Sequence, residues 1–432
     1  MRGITVKATR LNYVRTFFIG FAFLSICAFW QLYDNIVPLI LSNTFGIGET
    51  LTGGIMALDN ILALFLLPLF GAFSDRVNTK LGKRTPFIIV GTFLAVIFMM
   101  LIPLANKMHN FLMFFISLGI VLMAMGSYRS PAVALMPDVT PKPLRSKANA
   151  VINLMGTLGA IYTLIMIKMT IPKVDTPDYT LVFLSIAILM VIAIIILVSK
   201  IRENALAKEM AEINEDDELE ATTSANEGSK ALPHEVKKSL IFILASIFLW
   251  FTAYNAVITA FSRYAIKVWN LKGGDFADAL IVATGAATIS YIPIGFISSK
   301  FGRKKTILGG IILMTISYIC GSLFITYSPL INIVFAVTGI GWAAINVNSY
   351  PMVVEMVSGS DVGKYTGLYY IFSMLAQTLT PIMSGALLEN ISYRTLFPYA
   401  VIFSVLSFCT MLFVKHGDSK PIRKQNIIED YD

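Results

Sequence analysis

The chain has 432 residues, 56% of them hydrophobic and only 14% charged, with a mean hydropathy of +0.73. A soluble domain carries about 25% charge, so this chain has too little polar surface to cover a water-facing globule. Its apolar runs are continuous, which excludes the alternating pattern of a β-barrel, and its net charge of +8 follows from topology, leaving no reason to invoke nucleic acid.

Twelve apolar runs lie between polar breaks, most near the length of about 20 residues that crosses a hydrocarbon core of about 30 Å. They cover residues 16–42, 51–74, 86–105, 111–137, 148–170, 180–199, 238–262, 277–298, 304–327, 330–356, 365–388 and 394–414. Spans 1 and 4 exceed what a bilayer requires, which predicts tilt or extension past it. The first run lacks a small-residue cleavage site and reads as a retained helix, not a signal peptide. Cys27, Cys320 and Cys409 all fall inside apolar runs and read as small core residues without a disulfide. His109, His234 and His416 fall in loops or tails, so no histidine is available within the spans.

Cationic residues collect on the cytoplasmic side of a membrane. With the N-terminus inside, 26 of the 34 Lys and Arg fall in inside segments and 7 in outside ones, leaving Arg129 within a span. Both termini are therefore expected in the cytoplasm. Residues 201–235 hold ten acids and three bases and read as a solvated linker. The expected organisation is an N-terminal six-helix bundle (1–200), an acidic linker (201–237), a C-terminal six-helix bundle (238–414) and a cytoplasmic tail (415–432).

The two halves carry a repeat. Pro68–Pro86 reads P-L-F-G-A-F-S-D-R-V-N-T-K-L-G-K-R-T-P, and Gly295–Thr306 reads G-F-I-S-S-K-F-G-R-K-K-T. Each has Gly, then Ser three residues later, then a second Gly followed by cations and Thr. Each joins the second and third spans of its half. Trp30 to Asn35 in span 1 matches Trp250 to Asn255 in span 7. Spans 4 and 10 each place Pro in a polar patch (Pro131, Pro351) and an acid near the inner end (Asp138, Glu355). Parallel repeats about an axis along the membrane normal are one transporter arrangement.

The pattern G-x-x-x-D-R followed by G-K-R resembles the signature loop of the major facilitator superfamily. Its expanded form, running from Lys80 to Phe87, is similar to the branch holding the glycoside–pentoside–hexuronide cation symporters and the plant sucrose transporters. Pro131 to Thr140 is similar to the end of helix 4 in the sucrose branch. The resemblance implies twelve transmembrane helices in two pseudo-symmetric six-helix bundles, an all-α polytopic membrane protein with both termini inside. There are departures. Sucrose transporters carry an Arg where this chain has Val133, with Arg129 one helical turn earlier, and an acid where it has Leu122. The cation-binding acids of melibiose permease fall on Ala63 and Leu67.

Ion chemistry must therefore be read from these residues. An ionisable group near the bilayer centre costs about 2.5–3.5 kcal/mol on insertion scales and needs a partner or a cavity. Asp34 and Asp59 each lie about 12 Å below the outer surface at the rise of 1.5 Å per residue and are the candidates for taking up H+ or Na+. Arg129 lies inward of the midplane and is a candidate for charge compensation or solute binding. Sugars are held by aromatic stacking and by amide and guanidinium hydrogen bonds, which singles out Trp30, Tyr33, Tyr128, Arg129, Trp250, Asn255, Asn346 and Gln377 from an inventory that also holds Tyr254, Trp342 and Asn348. A charge network of Asp75, Arg76, Lys83, Arg84, Asp138 and Glu355, with Gly71 in the turn, is the expected cytoplasmic gate.

The function expected is cation-coupled symport, with H+ the favoured ion, of a di- or oligosaccharide by a non-enzymatic monomer in the cell membrane. It would use no metal or organic cofactor. Transport of another small solute by uniport or export, or a sensor that does not transport, is the alternative.

Overall fold

The computed structural model describes residues 11–141, 144–174, 177–210, 233–356 and 362–418, so parts of the expected linker and tail, 211–232 and 419–432, lie outside it. Among the described residues, twelve helices are long and apolar enough to cross a membrane. They are α1 Tyr13–Leu39, α2 Glu49–Arg76, α3 Thr85–Lys107, α4 Phe111–Asp138, α5 Arg145–Thr170, α6 Thr180–Lys200, α7 His234–Trp269, α8 Ala277–Phe301, α9 Arg303–Ser322, α10 Ile331–Val354, α11 Val362–Asn390 and α12 Leu396–Leu412. In lipid every backbone polar group must be satisfied within the segment, which is why apolar stretches of this length become helices.

Most boundaries fall within a few residues of the apolar runs. The largest difference is α7, which continues to Trp269 and carries Arg263 and Lys267 in its last turns. The sequence pattern assigns both to an outside loop. Arg263 remains helical because its side chain is buried and paired, as described below. Span 9 ends early, at Ser322, where Leu323 caps the chain.

The contacts divide the chain into two units. One comprises Met1–Asn226, Ile258–Ile281 and Thr378–Tyr393; the other comprises Glu227–Val257, Val282–Gln377 and Arg394–Asp432. In the first, α1 packs most extensively on α5 and α3 on α4 and α6; in the second, α9 packs on α10 and α12. The third helix of each half thus leans on the fourth and sixth, as a duplication requires.

The repeated loops share three features of geometry. Ser74 Oγ donates to the Gly71 carbonyl at 2.9 Å, and Ser298 Oγ to the Gly295 carbonyl at 3.0 Å. Gly82 and Gly302 both have positive φ, 118° and 93°, which side-chain-bearing residues rarely adopt. Each is followed by the first turn of a helix whose N–H groups have no intrahelical acceptors. Glu203, just past α6, accepts from the N–H of Lys83 at 2.7 Å, Arg84 at 2.8 Å and Thr85 at 2.9 Å, and from the Thr85 hydroxyl at 2.7 Å. Asp418, just past α12, accepts from the Arg303 N–H at 2.6 Å. A Cβ on Gly82 would run into the Glu203 carboxylate, and one on Gly302 would lie 2.9 Å from an Asp418 oxygen. A carboxylate at a helix N-terminus is favoured by the dipole and by the free N–H groups together.

Glu203 is 3% exposed, so Glu203→Ala leaves several buried donors unmatched. The expected cost is about 3 kcal/mol, from bonds to charged groups worth roughly 1.5–3 kcal/mol each. Asp418→Ala, which removes fewer bonds, should cost less. Thermal unfolding in detergent should rank wild type above Asp418→Ala and Asp418→Ala above Glu203→Ala.

Candidate functional site

In the first unit, α1, α2 and α4 bring Trp30, Asp34, Asp59 and Arg129 together away from the helix ends. Tyr33 is 1% exposed and its hydroxyl donates to the Met56 carbonyl at 3.1 Å, tying α1 to α2. This sets Asp34, the next residue, near Asp59, which lies about one turn beyond Met56. The two acids lie within Coulombic range of each other. Asp59 Oδ1 accepts from Asn60 Nδ2 at 2.7 Å. Tyr128 is fully buried and its hydroxyl donates to the Ala22 carbonyl at 2.9 Å, tying α4 to α1. Arg129, the next residue, then stands over the Trp30 ring with Cζ 5.8 Å from the centroid, within cation–π range. It also acts electrostatically on Asp59.

Trp30, Asp34, Asp59 and Arg129 are all only half-buried. Arg129 makes no hydrogen bond or ion pair among the described residues, and the buried Trp30 Nε1 and Asn35 Oδ1 have no hydrogen-bond partner there. The cluster therefore offers two acids, one uncommitted guanidinium, one aromatic face and one indole donor. Tyr33 and Tyr128, singled out from the sequence for solute binding, have their hydroxyls engaged on backbone carbonyls. They hold the neighbouring charges in place.

In the second unit, Trp342 stacks face to face on Tyr254, with ring centroids 3.7 Å apart and planes within 3°. Phe251 meets Trp342 edge-on at 5.3 Å. Asn346 is exposed, and its Nδ2 lies 3.5 Å from the Tyr291 hydroxyl. Asn255 and Gln377 are half-buried and donate to the carbonyls of Phe251 (2.8 Å) and Ser373 (3.2 Å) in their own helices. Trp250 is 1% exposed and its Nε1 is buried without a partner among the described residues. It is packed into the core, unlike its sequence counterpart Trp30.

The expected gate residues separate into two groups. Arg84 is 6% exposed and gathers its neighbours. Its Nε donates to Asp138 at 2.8 Å, and its terminal nitrogens reach Asp75, Ser74 and, at 3.3 Å, the Gly71 carbonyl. Burial works against its charge, but the bond and charge of Asp138 and those of Asp75 more than compensate, so the guanidinium holds its proton more tightly than a free one. Glu355 pairs with Arg303 in the other unit. That bond is the counterpart of Arg84–Asp138, loop cation to the acid at the end of the fourth helix of the half. Arg76 and Lys83 are exposed and their side chains make no ion pair among the described residues.

Sequence reasoning missed Glu203 and Asp418, although one signal was present: an acid just past the last apolar run of each half. It also missed Tyr291, the partner of Asn346, and the buried pair of Glu49 and Arg263.

A family model described as MFS/sugar transport protein matches residues 18–414. An uncharacterized MFS-type transporter of Methanocaldococcus jannaschii is 24% identical over 404 residues, covering 89% of this chain and 90% of the relative. A sucrose transport protein of Arabidopsis thaliana is 28% identical over 151 residues, 31% of this chain and 25% of that protein. The xylose transporter of E. coli in its inward-open conformation superposes with a TM-score of 0.69 at 14% identity, over 94% of this chain and 96% of that one. The twelve spanning helices, the duplicated loops and the family match agree: the chain belongs to the MFS/sugar transport family, and it is a multi-pass membrane transporter of small solutes.

Proposed function

We propose that the protein is a secondary active symporter that couples a cation, H+ in the first instance, to a di- or oligosaccharide by alternating access between its two halves, 1–200 and 238–414. The observation that carries this is the half-buried cluster of Asp34, Asp59, Arg129 and Trp30. Two acids against one guanidinium leave one negative charge in a region where uncompensated charge is costly. One monovalent cation closes that balance, and one proton does so with no coordination cage. The aromatic face of Trp30, its unpartnered indole donor and the free Arg129 fork suit the apolar faces and hydroxyls of a sugar. The family's description and the partial match to a sucrose transport protein point the same way.

The distribution of Lys and Arg supports placing the repeated loops, and with them the Arg84 and Arg303 networks and both termini, on the cytoplasmic face of the cell membrane. Cysteine reporters check this in a background with native cysteines replaced. Lys208→Cys should react with a membrane-impermeant maleimide only after cells are permeabilised, and Met108→Cys should react in intact cells. The reverse pattern would invert the assigned topology.

Uptake of labelled sugars across a panel, with pH and Na+ varied independently, tests substrate and ion together. Accumulation against a gradient should collapse with an uncoupler. Asp34→Asn and Asp59→Asn should each reduce accumulation at least tenfold, and Arg129→Lys should lose most uptake, because an ammonium lacks the planar fork. Both aspartate variants accumulating sugar normally would remove the coupling role from this cluster.

A further inference from the structure

Glu49 is the first residue of α2 and Arg263 lies near the end of α7, in different halves of the sequence and in the same compact unit. Their side chains are 5% and 4% exposed. Arg263 Nε donates to Glu49 Oε2 at 2.6 Å, and the Tyr393 hydroxyl donates to Glu49 Oε1 at 2.5 Å. Arg263 also donates to the Thr259 carbonyl at 3.0 Å. One turn of contacts surrounds the pair. Glu389 of α11 accepts from the Thr50 N–H at 2.8 Å and from its hydroxyl at 2.5 Å. A Cβ on Gly53 would strike the Pro381 carbonyl, and one on Gly385 would strike the Glu49 carbonyl, so α2 and α11 meet backbone to backbone. Lys173 at 2.7 Å, and Lys168 likewise, pair with Asp275 and Asp278, joining the end of α5 to the segment that opens α8. All of this lies at the end of the helices opposite the repeated loops.

We propose that Glu49 and Arg263, with Tyr393 as their anchor, are the gate of the non-loop end, whose parting admits solute there. This rests on the alternating-access reading above. A transporter that opens at this end must separate these residues, because apart from the Arg263–Thr259 bond within α7 each contact links the first six helices to the last six. The chemistry suits a reversible closure. A buried ion pair gives little net stability, since desolvation offsets most of its attraction, whereas one partner buried alone is strongly unfavourable. Closed, the pair is dry and matched; open, both charges are hydrated. Neither state is far below the other, which is the condition for switching.

The test uses spin labels on Leu51→Cys and Ile391→Cys, exposed positions on α2 and beyond α11, in full-length protein with the native cysteines replaced and reconstituted in lipid. Wild type should give a dominant short distance. Glu49→Gln and Arg263→Gln should each lower the ratio of short to long populations at least tenfold. Tyr393→Phe should lower it less, and the exchanged pair Glu49→Arg with Arg263→Glu should recover much of the wild-type ratio. Identical distributions in wild type, both glutamine variants and Tyr393→Phe would overturn the proposal. The readout needs no solute, so the two readings fail separately. A distance shift without any sugar uptake would fault the symport assignment alone, and intact uptake with no shift would fault the gate alone.

Discussion

The constraint that organises this molecule is the cost of charge in hydrocarbon. Only 14% of the residues are charged, and the sequence confines nearly all of them to the ends of the helices. Where an ionised group leaves the water it is matched by geometry. Glu203 sits in a ring of backbone N–H donors, Arg84 between Asp75 and Asp138, and Glu49 against Arg263 and Tyr393. Asp34, Asp59 and Arg129 depart from this rule. They are near one another but not closed into a bonded pair, and they remain half-buried rather than sealed. Ionisable groups left without a bonded partner away from the helix ends are costly in a bilayer, and the proposed cation and solute are what would match them.

The duplication is deeper than the sequence suggests. Two short glycine-containing loops are recognisably alike on paper, yet their strongest common feature involves residues more than a hundred positions away. Glu203 and Asp418 belong to segments with no resemblance to each other, and both return to the N-terminus of the third helix of their half. Gly82 and Gly302 are needed on two counts, positive φ and the space an incoming carboxylate occupies. The ion pair to the fourth helix repeats as well, as Arg84–Asp138 and Arg303–Glu355. Each loop is thereby fixed to the fourth and sixth helices of its own half, and it can move only with that half. Such a rigid assembly is what rocking of one half against the other requires.

The helices were legible because the bilayer imposes one length and one composition on each of them. The loops and the mid-bundle acids were legible because a polar residue in an apolar run stands out. Side-chain orientation was not, since rotation about a helix leaves hydropathy unchanged. Tyr33 and Tyr128 look like sugar ligands by residue type, but their hydroxyls point at the backbone of neighbouring helices. Trp30 and Trp250 align in sequence, yet one lies under Arg129 and the other is packed into the core. Arg263 was the hardest to read. A cation past an apolar run satisfies topology wherever it points, so composition cannot separate a lipid-headgroup contact from a buried partner on a helix more than two hundred residues away.

The two charge clusters hold their members by different physics. At the loop end, Arg84 is surrounded by two acids, and its partner Asp75 has a side chain that is 61% exposed. Such a network is screened by salt and tolerates rearrangement of any one bond. At the other end a single acid and a single guanidinium are nearly dry and are flanked by backbone contacts that admit no side chain. A network of the first kind can loosen by degrees; a pair of the second kind is matched or broken, with little between. Under the proposed gate, a solute entering at the non-loop end would meet the sharper of the two. The more forgiving network stays with the half to which its loop is bound.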